Sequence, residues 1–509
     1  MKLNNNVDGR SHGLRALIRS AVATVTAIAI VSAFPADASP LQARKSQSFV
    51  DSMGVDTHLD WANSIYQTGF SSLIYPSLAD LGIKHIRDGV SSWSPTQIAN
   101  FHTLHDRLGI TGLLGVDCMG EIHTGALYPP VVKSAIERYV PGVDAVECVN
   151  EPDILMWKDS GGSKRYFQYD NLGGQQFDAS YDSTNGWNRG FFDPKSTTDP
   201  AHAIVKEAED LYHIVKGDPA LQGVKVCTVP FANPASFLRY SASDVASMNA
   251  AGIADCGGGH YYPGGSHADD DSWNHALTWA SPGGFIAGSE WITGNKPVYV
   301  GETGYHNDTN YVYHDDQGVS ERAAGIYVPL LYCEGFRLLP TGSRTYVYEF
   351  ADDKPDPDMA DHERHYGAFL RNDGSKKPAY FAVKSLISIL KDPSPAAVYA
   401  PGILDLTMSP VPETVHYFLL QSSRGIYYLL LWNDVSVYMN AGPSTKGADI
   451  KPPAVPLTLQ FAKRCETRVF APSESPEPSP TRAYTVRTTA NTITLNLPAE
   501  LLIVEIGHG

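Results

Sequence analysis

Short apolar runs alternate with helical patterns along most of this chain. The runs predict strands at Met53–Leu59, His85–Gly89, Gly112–Asp117, Ala145–Asn150, Lys225–Pro230, Gly257–Tyr262, Pro297–Gly301 and Arg344–Phe350, and the helical patterns include Thr96–Arg107, Ala201–Val215, Val319–Cys333 and Ala379–Leu390. Strands that alternate with helices indicate a parallel sheet, and eight of them are the number that closes a barrel. The pattern therefore predicts an α/β fold, a (β/α)8 TIM barrel over residues 45–393.

The pattern changes after residue 393. Helical periodicity ends, and alternating strand-like runs continue to the C-terminus between proline- and serine-rich turns. This alternation predicts a small antiparallel β-sandwich over residues 394–509. We expect the residues before Ser48 to pair with it. We also expect it to brace the barrel, because its one tryptophan, Trp432, lies in an apolar run.

The N-terminal segment is typical of a secretory signal. Three arginines precede an apolar run from Ala21 to Phe34, and Ala36-Asp37-Ala38 fits the small-residue cleavage pattern. The prediction is a signal peptide over residues 1–38 and a secreted protein, extracellular or periplasmic; the alternative is an uncleaved membrane anchor. No other apolar run reaches about 18 residues, so no stable membrane insertion is expected once the signal is removed.

Charge and cysteine content narrow the functional classes. The net charge of -16 argues against nucleic-acid binding, because phosphates attract basic surfaces. It also disfavours an anionic polysaccharide, unless a local basic cleft overrides it. Cys227 and Cys256 lie in or near neighbouring predicted strands and could form a disulfide, or they could be buried thiols like Cys118 and Cys148. No Cys/His spacing predicts a metal site.

Two glutamates lie where apolar runs end. Ala145–Glu151 reads Ala-Val-Glu-Cys-Val-Asn-Glu, and Pro297–Glu302 reads Pro-Val-Tyr-Val-Gly-Glu. The two glutamates follow the fourth and seventh predicted strands, and catalytic residues of a barrel lie at such strand ends. Burying a carboxylate without a partner is costly, so this placement suggests chemistry. Retaining glycoside hydrolysis needs two carboxyl groups that flank one glycosidic bond.

The motifs around these glutamates resemble the retaining glycoside hydrolases of clan A, the (β/α)8-barrel enzymes that include families 5 and 39. Asn150-Glu151-Pro152 and Glu302 carry the resemblance. Arg87 resembles the second-strand arginine that holds the nucleophile, and His260-Tyr261-Tyr262 resembles the sixth-strand His-x-Tyr. The segment Tyr366–Tyr380 resembles the turn into the last helix. One departure is the eighth strand: Tyr346–Phe350 contains no tryptophan, whereas this strand often ends in one that floors the sugar site.

The resemblance implies that Glu151 is the general acid/base and Glu302 the nucleophile. Glu151 must carry a proton before bond cleavage, whereas Glu302 must be ionised, which requires cationic or hydrogen-bonding neighbours. Arg87 and Tyr262 suit that task. Asn150 is expected to hydrogen-bond the sugar 2-hydroxyl.

Several of these residues also have a structural interpretation. Arg87 could pair with Asp88 or with another acid of the barrel, and His260 could be a satisfied core histidine. Tyr261 could take the role of its neighbour Tyr262. Glu147 lies deeper on the face that carries Glu151, which predicts a structural pair for it.

The remaining candidates lie at strand ends and in one long loop. Asp56 and His58 end the first predicted strand and Asp117 ends the third; each would either bind sugar hydroxyls or pair within the barrel. Trp157 opens an aromatic-rich loop that runs to Phe192. Its rings would either stack on sugars or pack on one another.

The sequence thus predicts a secreted retaining glycoside hydrolase that acts on a β-linked glycan, endo-acting on a polysaccharide given the size of its loops. The alternatives are an exo-acting β-glycosidase of the same clan and a non-catalytic carbohydrate-binding barrel. An open groove would favour endo action, and a pocket closed by the Trp157–Phe192 loop would favour exo action. The expected partner is the carbohydrate substrate, and the mechanism needs neither cofactor nor metal.

Overall fold

The structure is a computed structural model. It describes residues 40–90, 94–116, 129–151, 156–158, 164–166, 200–232, 252–270, 285–286, 293–310, 312–313, 316–359, 361–441, 447–474 and 483–508. These residues belong to one compact unit, residues 36–509. The predicted signal peptide lies outside them. Within the described ranges, every helix is too short or too polar to cross a membrane.

The described strands are short in the first three quarters of the chain and longer near its end. In chain order they are β1 (Leu41–Gln42), β2 (Arg44–Lys45), β3 (Met53–Asp56), β4 (His85–Gly89), β5 (Thr111–Gly115), β6 (Val143–Glu147), β7 (Met156–Lys158), β8 (Lys164–Tyr166), β9 (Lys225–Val226), β10 (Gly257–His260), β11 (Val298–Thr303), β12 (Val312–Tyr313), β13 (Asp316–Gln317), β14 (Arg344–Val347), β15 (Ile403–Leu404), β16 (Leu406–Ser409), β17 (Val415–Gln421), β18 (Tyr427–Asn433), β19 (Tyr438–Met439), β20 (Ala448–Asp449), β21 (Val455–Phe470), β22 (Ala483–Leu497) and β23 (Leu502–His508).

Helices lie mainly between the strands of the first part. They are α1 (Ser46–Val50), α2 (Ile65–Thr68), α3 (Tyr75–Leu81), α4 (Pro95–Leu108), α5 (Pro129–Glu137), α6 (Pro200–Lys216), α7 (Glu321–Leu338) and α8 (Pro378–Leu390), with a π-helical turn at Phe70–Ile74 and 3-10 turns at His362–His365 and Pro472–Glu474. Local sequence sets the ends of α4. The Ser94 side chain accepts the Gln97 N–H at the start, and Gly109 ends the helix in the left-handed conformation.

Eight strands form one parallel sheet in the order β10-β11-β14-β3-β4-β5-β6-β9. From β3 the order follows the chain to β9, and β14 pairs with β3, so β10, β11 and β14 lie on the other side of β3. This is the strand order of a TIM-like fold, and it confirms the predicted α/β class. The predicted sandwich region also consists of antiparallel sheets, as expected.

Backbone hydrogen bonds and a disulfide join the two end strands of the parallel sheet. Cys227 and Cys256, which directly follow β9 and precede β10, form a parallel bridge and a disulfide. The Thr228 N–H donates to the Cys256 carbonyl at 2.8 Å. Cys148 is a buried free thiol, whereas Cys118 lies outside the described residues.

The C-terminal strands form an antiparallel sheet in the order β16-β21-β23-β18-β17, which continues in β2, with β22 paired to β21. β2 pairs in parallel with β17, and β1 pairs with β15. These two contacts confirm that the residues before Ser48 pair with the C-terminal part.

This C-terminal part packs against α7. The Phe336 ring of α7 contacts Phe49 and Phe418, with ring centroids 5.2 and 5.3 Å apart. Trp432 is completely buried, and its Nε1 donates to Glu334 Oε1 at 3.1 Å. The one tryptophan of the C-terminal part therefore packs at the junction with the parallel sheet, as a bracing role requires.

Candidate active site

The predicted catalytic residues meet at the carboxyl end of the parallel sheet. Arg87 lies on β4 and His260 ends β10, while Glu302 is the second-last residue of β11 and stands in register with His260. The sequence predicted that Glu302 directly follows its strand, whereas the structure places Glu302 inside it. Glu151 follows β6 by four residues, and its backbone is held in the left-handed region with φ 44°, which is uncommon for a residue with a side chain.

Arg87 connects three acceptor side chains. Its Nε donates to Glu147 Oε1 at 2.6 Å, one terminal nitrogen to Glu302 Oε1 at 2.7 Å and the other to Asn150 Oδ1 at 2.7 Å. Glu147 is completely buried and takes the structural pairing expected for it. Asp88 does not pair with Arg87 but accepts hydrogen bonds from other neighbours, among them the Thr57 hydroxyl at 2.7 Å.

Glu302 lies in an environment that favours its ionised form. The Tyr262 hydroxyl donates to Glu302 Oε2 at 2.8 Å, opposite the Arg87 contact. Burial alone would raise the pKa of Glu302, but His260 and Arg87, with the hydrogen bonds from Tyr262 and Arg87, lower it to about 2. Glu302 is therefore a carboxylate at neutral pH. Tyr261, the alternative to Tyr262, packs instead against Phe285.

His260 joins the two glutamates. Its Nδ1 lies 2.7 Å from Glu151 Oε1 and 3.4 Å from Glu302 Oε2. Burial lowers the pKa of His260, but Glu302 and Glu151 outweigh burial and raise it above its ordinary value. One carboxylate oxygen of each glutamate and one imidazole nitrogen all lie within 4.8 Å of one another. The structure therefore brings Glu151 and Glu302 face to face across a shared histidine.

Asp56 and His58 lie at the same sheet end but beside other partners. The Asp56 carboxylate is 3.7 Å from Arg87, and burial raises its pKa well above the usual range despite the arginine. His58 Nε2 lies 3.4 Å from a carboxylate oxygen of Glu349, and burial lowers the pKa of His58 to about 3. Burial likewise raises the pKa of Glu349, which accepts the Tyr66 hydroxyl at 2.6 Å. Burial therefore favours the uncharged forms of Asp56, His58 and Glu349 at this end of the sheet.

The side chains of two predicted site residues lie outside the part of the chain that the structure describes. Asp117 lies outside the described residues. Trp157 belongs to β7, which pairs with β8 in a two-stranded sheet, and its side chain also lies outside the description. Their predicted contacts with sugar stay predictions.

The sequence pattern missed several aromatic residues near the site. The Trp61 ring stacks on His58 with centroids 3.6 Å apart. The Tyr366 ring lies 5.9 Å from Tyr262 and 5.5 Å from Tyr348. Trp61 follows a predicted strand end, which is a usable signal, whereas the position of Tyr366 depends on long-range packing.

Two groups of described side chains bring carboxylate and imidazole atoms close enough to hold a cation: Glu151, His260 and Glu302 in one, and Asp269, Glu334, His416 and Asp434 in the other. In the first, Arg87 and Tyr262 already donate to Glu302. In the second, Arg337 and Trp432 already donate to Glu334. Because the protein supplies these donors itself, we assign a metal to neither group.

Comparison with known proteins establishes the fold alone. No family model and no curated protein matches the sequence. A solved glucosidase from Croceicoccus marinus superposes with a TM-score of 0.54 and 10% identity, over 93% of this chain and 97% of that chain. The chain therefore shares the overall fold of that protein.

Two further solved structures superpose more loosely. An endo-β1,6-glucanase matches with a TM-score of 0.42 and 11% identity, over 92% of this chain and 93% of that chain. An active-site mutant of a Rhizomucor miehei β-1,3-glucanosyltransferase, in complex with laminaritriose, matches with a TM-score of 0.38 and 14% identity, over 66% and 97% of the two chains. At these scores neither adds to the argument.

Proposed function

We propose that this protein is a retaining glycoside hydrolase that cleaves β-glycosidic bonds by double displacement. The observation that carries the proposal is the pairing of Glu151 and Glu302, whose nearest oxygens lie within 4.8 Å of each other while only Glu302 is held by Arg87 and Tyr262. Retaining enzymes have carboxyl groups about 5–5.5 Å apart, and inverting enzymes need about 6.5–9.5 Å to admit a water. The short spacing favours retention.

In the first step, a carboxylate oxygen of Glu302 attacks the anomeric carbon and forms a glycosyl ester. The bond to the leaving oxygen breaks, its electron pair stays on that oxygen, and the proton of Glu151 moves there. The hydrogen bond from Arg87 orients the Glu302 carboxylate, and the bond to Asn150 Oδ1 orients the Asn150 amide. With its oxygen held by Arg87, the amide presents its nitrogen to the sugar 2-hydroxyl.

In the second step, Glu151 acts as a base. It takes a proton from water, the water oxygen attacks the anomeric carbon, and Glu302 leaves as a carboxylate. The ester has no negative charge, so the carboxylate that His260 faces is now that of Glu151. His260 holds that carboxylate through Nδ1 at 2.7 Å and positions it for the water.

The proposal extends to the whole chain. A secreted protein fits the pattern of residues 1–38 and the Cys227–Cys256 disulfide, since disulfides persist in oxidising compartments. A closed barrel fits the bridge between the ends of the parallel sheet. A sandwich fits β21, whose first half pairs with β16 and whose second half pairs with β23. The substrate is a β-linked glycan cut internally; release of single sugars from one end would instead mark exo action.

The test is product release from β-glucans, xylan, galactan and arabinan by the wild type, Glu151→Gln and Glu302→Gln. Glu413→Gln, at an exposed position of the C-terminal part, is the matched control. Loss of a positioned acid/base lowers kcat/KM by about 10²–10⁴-fold, so both site variants should fall at least that far while the control stays at the wild-type value. Full activity in either site variant would refute the assignment.

A further inference from the structure

A second pocket opens at the same sheet end as the glutamate pair. It has a volume of about 600 Å³, within the range of ligand sites, and Trp61 and Tyr348 form its aromatic walls. Both side chains are partly exposed. Asp60 and Ala62 after β3, and acidic and basic side chains from the segment that follows β14, complete the lining.

A continuous series of rings links this pocket to the candidate nucleophile. Tyr262, which donates to Glu302, lies 5.9 Å from Tyr366, and Tyr366 lies 5.5 Å from Tyr348. Tyr348 in turn lies 5.5 Å from His58, on which Trp61 stacks. The rings therefore form a wall that runs from the site of bond cleavage out to the pocket.

Trp61 is held in place from one side. Its ring is nearly parallel to the His58 ring, with an interplanar angle of 10° and centroids 3.6 Å apart. Because His58 covers one face of the indole, the opposite face or the edge lines the pocket, where Lys354 Nζ lies 5.9 Å from the ring centroid. Sugar rings have apolar C–H faces that pack on such surfaces. The eighth predicted strand, Tyr346–Phe350, lacks the expected tryptophan, and Trp61, from the segment after β3, lies near its end.

The charged side chains of the pocket disfavour an anionic ligand. Four carboxyl groups and two cations line it. Each cation already has an acidic partner: Lys354 lies 3.3 Å from Asp353, and Arg364 lies 3.0 Å from Asp361. Glu363 also lies 3.3 Å from His362, and carboxyl groups outnumber cations in the lining by four to two. A uronate would be repelled there, whereas neutral hydroxyls can donate to the carboxylates.

We propose that the Trp61 pocket is a glycan subsite and that the substrate is a neutral β-linked oligosaccharide or polysaccharide, one sugar of which stacks on Trp61. The inference rests on the proposed function and names its substrate class. It also gives the substrate a minimum length, because a sugar in the pocket lies beyond the sugar attacked by Glu302.

The first test compares chain lengths. The ratio of kcat/KM for a neutral tetrasaccharide to that for the disaccharide of the same linkage is measured in the wild type, Trp61→Ala and Trp61→Phe. Loss of one stacking contact should lower this ratio about tenfold in Trp61→Ala and much less in Trp61→Phe. Tyr212→Ala, a partly exposed aromatic of α6 far along the chain from the pocket, should leave it unchanged. Equal losses at both lengths would overturn the subsite.

The second test separates the subsite from catalysis. Calorimetry measures binding of the tetrasaccharide to Glu302→Gln and to the double variant Glu302→Gln/Trp61→Ala. Weaker binding by the double variant supports the glycan subsite, whether or not the wild type hydrolyses the substrate. Absence of hydrolysis by the wild type would refute only the proposed function. Equal binding refutes the pocket even if hydrolysis is found.

The preference for a neutral substrate is tested by comparing neutral and charged oligosaccharides. The wild type should cleave the neutral tetrasaccharide faster than the matching uronate oligomer, and Glu363→Lys should narrow that difference. Faster cleavage of the uronate, or of a cationic glucosamine oligomer, by the wild type would overturn the assignment of a neutral substrate.

Discussion

At the scale of single residues, the two glutamates differ because their hydrogen-bond donors differ. Glu302 accepts hydrogen bonds from Arg87 and Tyr262, whereas Glu151 shares a hydrogen bond with His260. Arg87 keeps its charge in a buried site because Glu147 and Glu302 surround it, and breaking such a buried network by removing one member is costly. In the proposed mechanism, this asymmetry makes Glu302 the nucleophile and Glu151 the general acid/base.

The Tyr262 hydrogen bond should set the acidic limit of activity. Tyr262→Phe removes a donor to ionised Glu302, so the pKa of Glu302 should rise from about 2. Because only the carboxylate attacks, the acidic limb of the kcat/KM–pH profile should move to higher pH. A hydrogen bond to a charged group contributes about 1.5–3 kcal/mol, which corresponds to about one to two pH units.

Tyr261→Phe is the matched control, because Tyr261 is the sequence neighbour of Tyr262 but packs against Phe285. Its acidic limb should stay at the wild-type position, with folding monitored by circular dichroism at each pH. An unchanged limb in Tyr262→Phe, or equal shifts in both variants, would contradict the role of this hydrogen bond.

At the scale of elements, the sequence predicted the order of the strands better than their ends. The alternation of apolar runs and helical patterns is local, so each run could be recognised by itself. Strand ends depend on pairing with neighbours: β11 extends through Glu302 because its ladder with β10 continues to His260. The same limit applies to Tyr366, whose contact with Tyr262 joins residues about 100 positions apart and leaves no local pattern.

The Cys227–Cys256 disulfide links the two ends of the parallel sheet. It closes a loop with a sequence separation of 29 residues, for which chain entropy gives a stabilisation of about 3–4 kcal/mol. The double variant Cys227→Ala/Cys256→Ala should lose about that much in its free energy of unfolding, measured by denaturant titration. Cys465→Ala, a half-buried free thiol, is the control and should unfold like the wild type. A double variant as stable as the wild type would show that the disulfide does not stabilise the sheet.

At the scale of the whole molecule, a buried charged cluster joins the parallel sheet to the C-terminal part. Glu334 of α7 contacts His416 Nδ1 at 2.5 Å and Arg337 at 2.6 Å, and Asp434 contacts His267 Nδ1 at 2.6 Å. Burial lowers the pKa of both histidines, but their carboxylate partners raise it above the ordinary value. Burial and the neighbouring carboxylates raise the pKa of Asp269 to about 7. The junction therefore binds protons more tightly when folded.

Stability should fall as pH rises through this cluster. A group whose pKa is raised in the folded state contributes its full stabilisation when the pH is below its unfolded-state pKa. That stabilisation is lost as the pH rises through its folded-state pKa. The stabilisation from Asp269 is lost between about pH 3.8 and about pH 7, and that from His416 begins to be lost near pH 6.5. His416→Gln should cost about 1–2 kcal/mol at pH 6 and less at pH 9, measured by denaturant titration.

His213→Gln, an exposed histidine of α6, is the control for this experiment and should follow the wild-type curve at every pH. A cost that is the same at pH 6 and pH 9 in His416→Gln would mean that the junction is held by packing around Trp432 and not by protonated histidine.

The configuration of the newborn product distinguishes a double displacement at Glu302 from a single displacement by water. Proton NMR follows the anomeric signal in the first minutes of hydrolysis of a β-linked substrate, before mutarotation mixes the anomers. Attack by Glu302 followed by attack of water inverts the anomeric carbon twice, so we expect the β anomer to appear first. If the α anomer appears first, a single displacement has occurred, and Glu302 is not a nucleophile.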